Sequence, residues 1–168
     1  MKEVVGNLLN LFEEGEFDII GHGCNCQNIM GAGIAYQIAS KYPEVYEKDT
    51  ALSEVLTPEE KLGRVSLVYT DYGIVANMYT QLNPGPEFTH TSLRRSMNML
   101  KDLVQNADFG KKLKLGLPLI GCGIGGARWD LVKHTLLDYD DFFDITIVHY
   151  DITTKGMGEE QTDLFSET

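Results

Sequence analysis

Short apolar runs alternate along the chain with stretches whose apolar positions recur every three or four residues. Val4–Gly6 and Phe17–His22 read as strands, joined by a short apolar connection through Leu8, Leu9, Leu11 and Phe12. Ile34, Ile38 and Tyr42, spaced by four, mark one face of a helix that stops before Pro43. Thr57-Pro58-Glu59-Glu60 has the form of a capping box with proline at the first helical position, and opens a short helix ended by Gly63. Val65–Tyr69 and Ile74–Tyr79 flank Thr70-Asp71-Tyr72-Gly73 and read as a hairpin. Leu93, Met97, Leu100 and Val104 are helix-spaced, so Ser92–Gln105 reads as an amphipathic helix. Leu113–Ile120 reads as a strand, Trp129–Leu137 as a helix with Trp129, Val132 and Leu136 on one face, and Ile145–Tyr150 as the last strand. Helices interspersed among about six strands imply an α/β fold, a three-layer α/β/α sandwich with a mixed, mostly parallel sheet.

Two of the predicted strands run into glycine-rich loops. Phe17–His22 leads to Cys24-Asn25-Cys26-Gln27-Asn28-Ile29-Met30-Gly31-Ala32-Gly33-Ile34, and Leu113–Ile120 to Gly121-Cys122-Gly123-Ile124-Gly125-Gly126. Each loop then opens a helix. A glycine loop at a strand-to-helix junction gathers bare N–H groups and a helix N-terminus at one point, which suits a phosphate. Two such loops, about ninety residues apart in sequence, can grip a diphosphate from both sides if they meet over one sheet edge. The pattern points to a nucleotide-like ligand.

Composition narrows this further. At 168 residues the chain is one domain's worth, and no stretch approaches the apolar length of a membrane helix. The N-terminus carries no signal-peptide core. Three cysteines, two of them one residue apart, make no disulfide framework, so a reducing, cytoplasmic setting fits. A formal charge of −11 argues against an extended nucleic-acid or anionic-membrane surface. The polar tail, residues 152–168, contributes −3 of it and reads as mobile. An anionic ligand would therefore be held by backbone amides and helix dipoles.

Other motifs are weaker. Gly121-x-Gly123-x-x-Gly126 matches the dinucleotide fingerprint, but too little chain follows it for a doubly wound nicotinamide domain. No Gly-Lys-Ser/Thr sequence exists, which excludes a P-loop. His22, Cys24, Cys26 and Cys122 lack the paired spacing of a zinc site, and Asp138, Asp140, Asp141 and Asp144 read as a solvated acidic face, so neither metal nor cofactor is expected. Asn25 either holds its own loop through a side-chain-to-backbone bond or meets a sugar hydroxyl. His90, beside a proline-rich loop, either caps a helix or reaches the ligand.

At the two loops the chain resembles a macrodomain, the ADP-ribose-binding α/β/α module, over nearly all of residues 1–151. The resemblance implies adenine contacts from Asn7, where the family carries aspartate, and from Leu8, with Tyr150 flanking the base. It places Asn25 beside the distal ribose. Gly31, Ala32, Gly33 and Ile34 match the first diphosphate loop, and Gly121, Cys122, Gly123, Ile124, Gly125 and Gly126 the second. Gly33–Pro43 is similar to the small fungal ADP-ribose 1″-phosphate phosphatase type. Gly121-Cys122-Gly123 also resembles the branch that removes ADP-ribose from acidic side chains or DNA bases. That branch uses a lysine after the central strand and an aspartate in the second loop, where this chain has Tyr79-Thr80-Gln81 and Gly125.

The resemblance thus implies an enzyme acting on ADP-ribose 1″-phosphate; Asn25 is expected to orient the ribose and His22 or His90 to serve as acid or base, since imidazole titrates near neutrality, and a monomer is expected. A non-catalytic ADP-ribose reader, and a hydrolase releasing ADP-ribose from protein or nucleic acid by other residues, stand as alternatives.

Overall fold

Six strands form one sheet in the order β1-β6-β5-β2-β4-β3 in a computed structural model that describes residues 1–150. The strands are β1 (Lys2–Gly6), β2 (Ile19–Asn25), β3 (Val65–Tyr69), β4 (Ile74–Gln81), β5 (Lys114–Leu117) and β6 (Asp144–Tyr150). Neighbours are parallel throughout, except for the antiparallel β3–β4 hairpin. The helices are α1 (Leu8–Glu13), α2 (Gly33–Lys41), α3 (Pro43–Val55), α4 (Pro58–Lys61), α5 (His90–Ala107) and α6 (Trp129–Leu137). The tail read at residues 152–168 lies outside the described residues.

Side-chain alternation along the strands builds a core on each face. Ile19, Leu115, Leu117, Ile145 and Ile147 join Leu93, Met97, Leu100 and Val104 of α5 and Val132 and Leu136 of α6. On the other face Ile20, Val75 and Val148 meet Leu8, Leu9 and Phe12 of α1, Ile34 and Ile38 of α2 and Val45 of α3. Burying the four α5 side chains contributes roughly 1.5–3 kcal/mol each. The result is the expected three-layer sandwich with a mixed, mostly parallel sheet.

Local details differ from the sequence reading. The apolar connection after β1 is a helix, α1, whose six residues are too few to display a period. Helix α3 has no counterpart in the hydrophobic pattern. Its inward positions include Val45 and Asp49, and a buried aspartate breaks the apolar periodicity. Strand β5 stops at Leu117 instead of continuing to Ile120, because Pro118 has no N–H for the ladder. The capping box is present as expected: Thr57 accepts from the Glu60 N–H, and the Glu60 side chain accepts from the Thr57 N–H.

All five parallel strands point the same way, so the carboxyl ends of β1, β2, β4, β5 and β6 lie at one edge. Both glycine loops, Asn7 and Tyr150 share that edge. In open α/β sheets, ligands bind in the crevice outside the strands' carboxyl ends.

Candidate functional site

The first loop begins at a register shift between Cys24 and Asn25. The Asn25 carboxamide then closes the loop on itself: Nδ2 donates to the Ile29 carbonyl at 2.8 Å, and Oδ1 accepts from the Gln27 N–H at 2.9 Å. Of the two readings of Asn25, its bonds display the loop-holding one. Gln27 Nε2 donates to Asn83 Oδ1 at 2.9 Å and ties this loop to the one after β4. The chain enters α2 through Gly33 at φ +61°, a conformation that favours glycine. No side chain caps α2, whereas Asn7, Thr57 and Thr89 cap α1, α4 and α5.

The second loop follows Pro118 and turns at Gly121 with φ +78°, where a Cβ would fall 2.3 Å from the Phe88 ring. It leads to α6, whose N-terminus also lacks a side-chain cap. A Cβ on Gly125 would lie 2.7 Å from the Gly121 carbonyl oxygen and 3.1 Å from Gln81 Oε1. Gln81, the last residue of β4, is buried, and its Nε2 donates to the carbonyls of Asn83 and Gly85, both at 2.8 Å. These bonds shape the loop between β4 and α5.

Between the loops lies a cleft of about 260 Å³, whose lining includes Cys24, Asn25, Gly31, Ala32, Gln81 and Ile124. Among the described residues no lysine, arginine or histidine lines it. Its one thiol, Cys24, is buried, and burial above all, with Asp49 adding to it, raises its pKa well above the ordinary range. It is a protonated wall, not a nucleophile. A larger, open hollow of about 560 Å³ lies against the first loop's other residues, between Tyr36 and Tyr46, and shares Ile29 and Gly31 with the cleft.

The remaining expected residues are distributed as follows. Asn7, Leu8, Ile34 and Tyr150 meet at a notch of only about 10 Å³, roughly the room for one water, so an adenine would need these side chains to part. Asn7 Oδ1 also accepts from the Asn10 N–H at 3.0 Å and caps α1. His22 does not line the cleft. It is buried, with Nε2 2.7 Å from Asn77 Oδ1, and burial lowers its pKa to about 4. A neutral, enclosed imidazole does not exchange protons with a ligand, so His22 is set aside as acid or base. His90 opens α5 with its ring edge-on to Phe88, centroids 5.1 Å apart, and so stands behind the second loop without lining the cleft.

Two groups went unread in the sequence. One is Gln81, which stood out only as a departure from lysine. The other is a buried polar cluster under α3 and α4, in which Lys61 Nζ reaches Asp49 at 2.8 Å and Ser53 at 2.7 Å, and Tyr79 donates to Asp49 at 2.7 Å. No group of three His, Cys, Asp or Glu side chains among the described residues is arranged to hold a metal. No described helix is long and apolar enough to cross a membrane.

No protein-family model matches the chain. An uncharacterised 17.5 kDa protein from the tk-vs intergenic region of Enterobacteria phage T4 is 35% identical over 156 residues, covering 90% of this chain and 97% of the relative. The macrodomain of Thermus aquaticus DarG superposes with a TM-score of 0.71 at 20% identity, covering 89% of this chain and 97% of that one. The chain has the macrodomain fold. Two relatives carry named activities. The ADP-ribose glycohydrolase OARD1 of Bos taurus is 26% identical over 142 residues, covering 84% of this chain and 86% of the relative. The ADP-ribose 1″-phosphate phosphatase of Candida glabrata is 26% identical over 158 residues, covering 77% and 88%.

Proposed function

We propose that this macrodomain binds ADP-ribose between its two glycine loops and hydrolyses ADP-ribose 1″-phosphate to ADP-ribose and phosphate. One observation supports the ligand: two glycine loops, each opening a helix without a side-chain cap, flank one cleft at the ends of adjacent strands β2 and β5. With no basic side chain among the described residues of the cleft lining, the diphosphate charge is met by loop N–H groups and helix dipoles. The relatives named as a phosphatase and a glycohydrolase both support hydrolysis at the distal ribose.

In the reaction, water attacks phosphorus and the bond from phosphorus to the C1″ oxygen breaks, the oxygen taking a proton. Among the described residues the cleft lining has no acid or base, so the rate rests on holding the distal ribose and on amide stabilisation of the phosphoryl charge. His90 is the candidate acid or base that its position leaves open. The same lack of a cleft acid supports a second reading, a reader that binds ADP-ribose without turnover.

Calorimetry should show one ADP-ribose site, with AMP far weaker because it lacks the second phosphate and ribose. ADP-ribose 1″-phosphate should release phosphate above buffer, and ADP-ribosylated protein should release little ADP-ribose. Binding without release of either product establishes the reader. ADP-ribose binding no tighter than AMP overturns both readings.

A further inference from the structure

Two helices with matching spacing build the hollow of about 560 Å³ beside the first loop. Tyr36, Ala39 and Ser40 of α2 stand at i, i+3 and i+4, as do Pro43, Tyr46 and Glu47 of α3, so each set shares one helix face. The small side chains leave room between two tyrosines that stay exposed, Tyr36 at 46% and Tyr46 at 40%. The Tyr46 hydroxyl donates to the Asn28 carbonyl at 3.3 Å. Asn28 itself has φ +59°, and its Nδ2 donates to Thr50 Oγ1 of α3 at 3.1 Å. These bonds tie the first loop to α3 and fix one wall of the hollow in advance, which lowers the cost of binding.

Charge selects the occupant. Among the described residues, Glu47 is the one charged side chain of the lining, and no hydrogen bond or ion pair engages it. Tyrosine ring faces and a carboxylate both attract a cation. A guanidinium suits them better than an ammonium, because it is planar, weakly hydrated and stacks on aromatic rings. A phosphodiester backbone is opposed by Glu47 and by the chain's charge of −11. We infer that the hollow binds an arginine-bearing polypeptide segment, with the guanidinium held by the tyrosines and Glu47. The volume falls in the range of roughly 300–1,000 Å³ usual for ligand sites, which leaves room for backbone flanking the arginine. The hollow and the cleft share Ile29 and Gly31, so they are neighbouring sites, and the inference does not depend on what fills the cleft.

The test measures binding of a blocked peptide of alternating glycine and arginine to the whole chain by fluorescence anisotropy. The same peptide with citrulline, which keeps the shape and loses the charge, should bind about tenfold more weakly. Tyr36→Ala and Glu47→Gln should each weaken arginine-peptide binding about fivefold. Asp102→Asn, which removes a charge from the exposed surface of α5, should change it less than about twofold. ADP-ribose affinity should stay within about twofold in all three variants, because none of these residues lines the cleft. Absence of peptide binding, equal binding of the citrulline peptide, unchanged binding in Tyr36→Ala and Glu47→Gln, or an equal loss in Asp102→Asn overturns the inference. Tighter binding of single-stranded oligothymidine than of the peptide, or a dimer of the free chain that Tyr36→Ala dissolves, gives the hollow to another occupant and also overturns it. A wild-type chain that binds ADP-ribose no better than AMP removes the functional reading of the cleft and leaves this inference standing.

Discussion

Gly31 and Gly33 sit two residues apart in the first loop, yet substitution at each tests something different. Gly33 has φ +61°, so any side chain there strains the backbone before it meets a ligand. Gly31 carries no such restriction, and a Cβ there meets nothing within 4 Å. Gly31 also lines the cleft. Gly31→Glu should therefore leave the unfolding midpoint unchanged while placing a carboxylate against the proposed diphosphate. ADP-ribose affinity should fall at least tenfold by calorimetry, and unaltered affinity in the folded variant would place the ligand elsewhere. Asn25 belongs to the same loop, but its carboxamide bonds to Ile29 and Gln27 make it part of the loop's frame.

Helices α3 and α4 reach the sheet through charge as much as through apolar contact. Lys61 and Asp49 are both buried, 2.8 Å apart, and the Lys61 ammonium also lies 4.7 Å from the Tyr79 ring centroid. Removing one partner strands the other charge. Lys61→Met should destabilise the protein by about 3–5 kcal/mol in urea unfolding, whereas Lys61→Met combined with Asp49→Leu should recover most of that loss. A single variant as stable as wild type would show that the pair is solvated in solution. The α4 capping box, by contrast, is a local device and was legible from four consecutive residues. The charged pair was not, because its members lie twelve residues apart and only the turn between α3 and α4 brings them together.

For the molecule as a whole, the buried His22 links stability to pH. Its folded pKa is about 4, against about 6.5 for an exposed histidine. Between these values the unfolded chain binds a proton that the native state refuses. Stability should thus fall as pH drops from about 6.5 to 4, by up to about 3 kcal/mol from this group. The paired carboxylates act lower: Glu13, held down chiefly by its bond from Tyr42, loses its contribution only as it protonates. His22→Gln should flatten the stability loss between pH 6.5 and 5 in urea titrations. Parallel curves for the two proteins would mean that His22 protonates freely in the native state.

The sequence alone determined the sheet-and-helix alternation, the hairpin at Thr70–Gly73, the amphipathic α5 and the two glycine loops. Each of these is written in neighbouring residues, through burial of apolar side chains or backbone that only glycine adopts readily. Tertiary structure decided the rest. Parallel pairing of β2 with β5 set side by side two loops about ninety residues apart in the chain. Packing of α1 and α2 against the sheet closed the notch between Asn7 and Tyr150, and burial enclosed His22 behind the cleft wall. Tertiary packing also buried Asp49 and left Gln81 Oε1 without a donor beside Gly125. Local periodicity reports burial only where the buried residues are apolar. A buried polar group is set by partners distant in sequence, and those partners meet only in the folded chain.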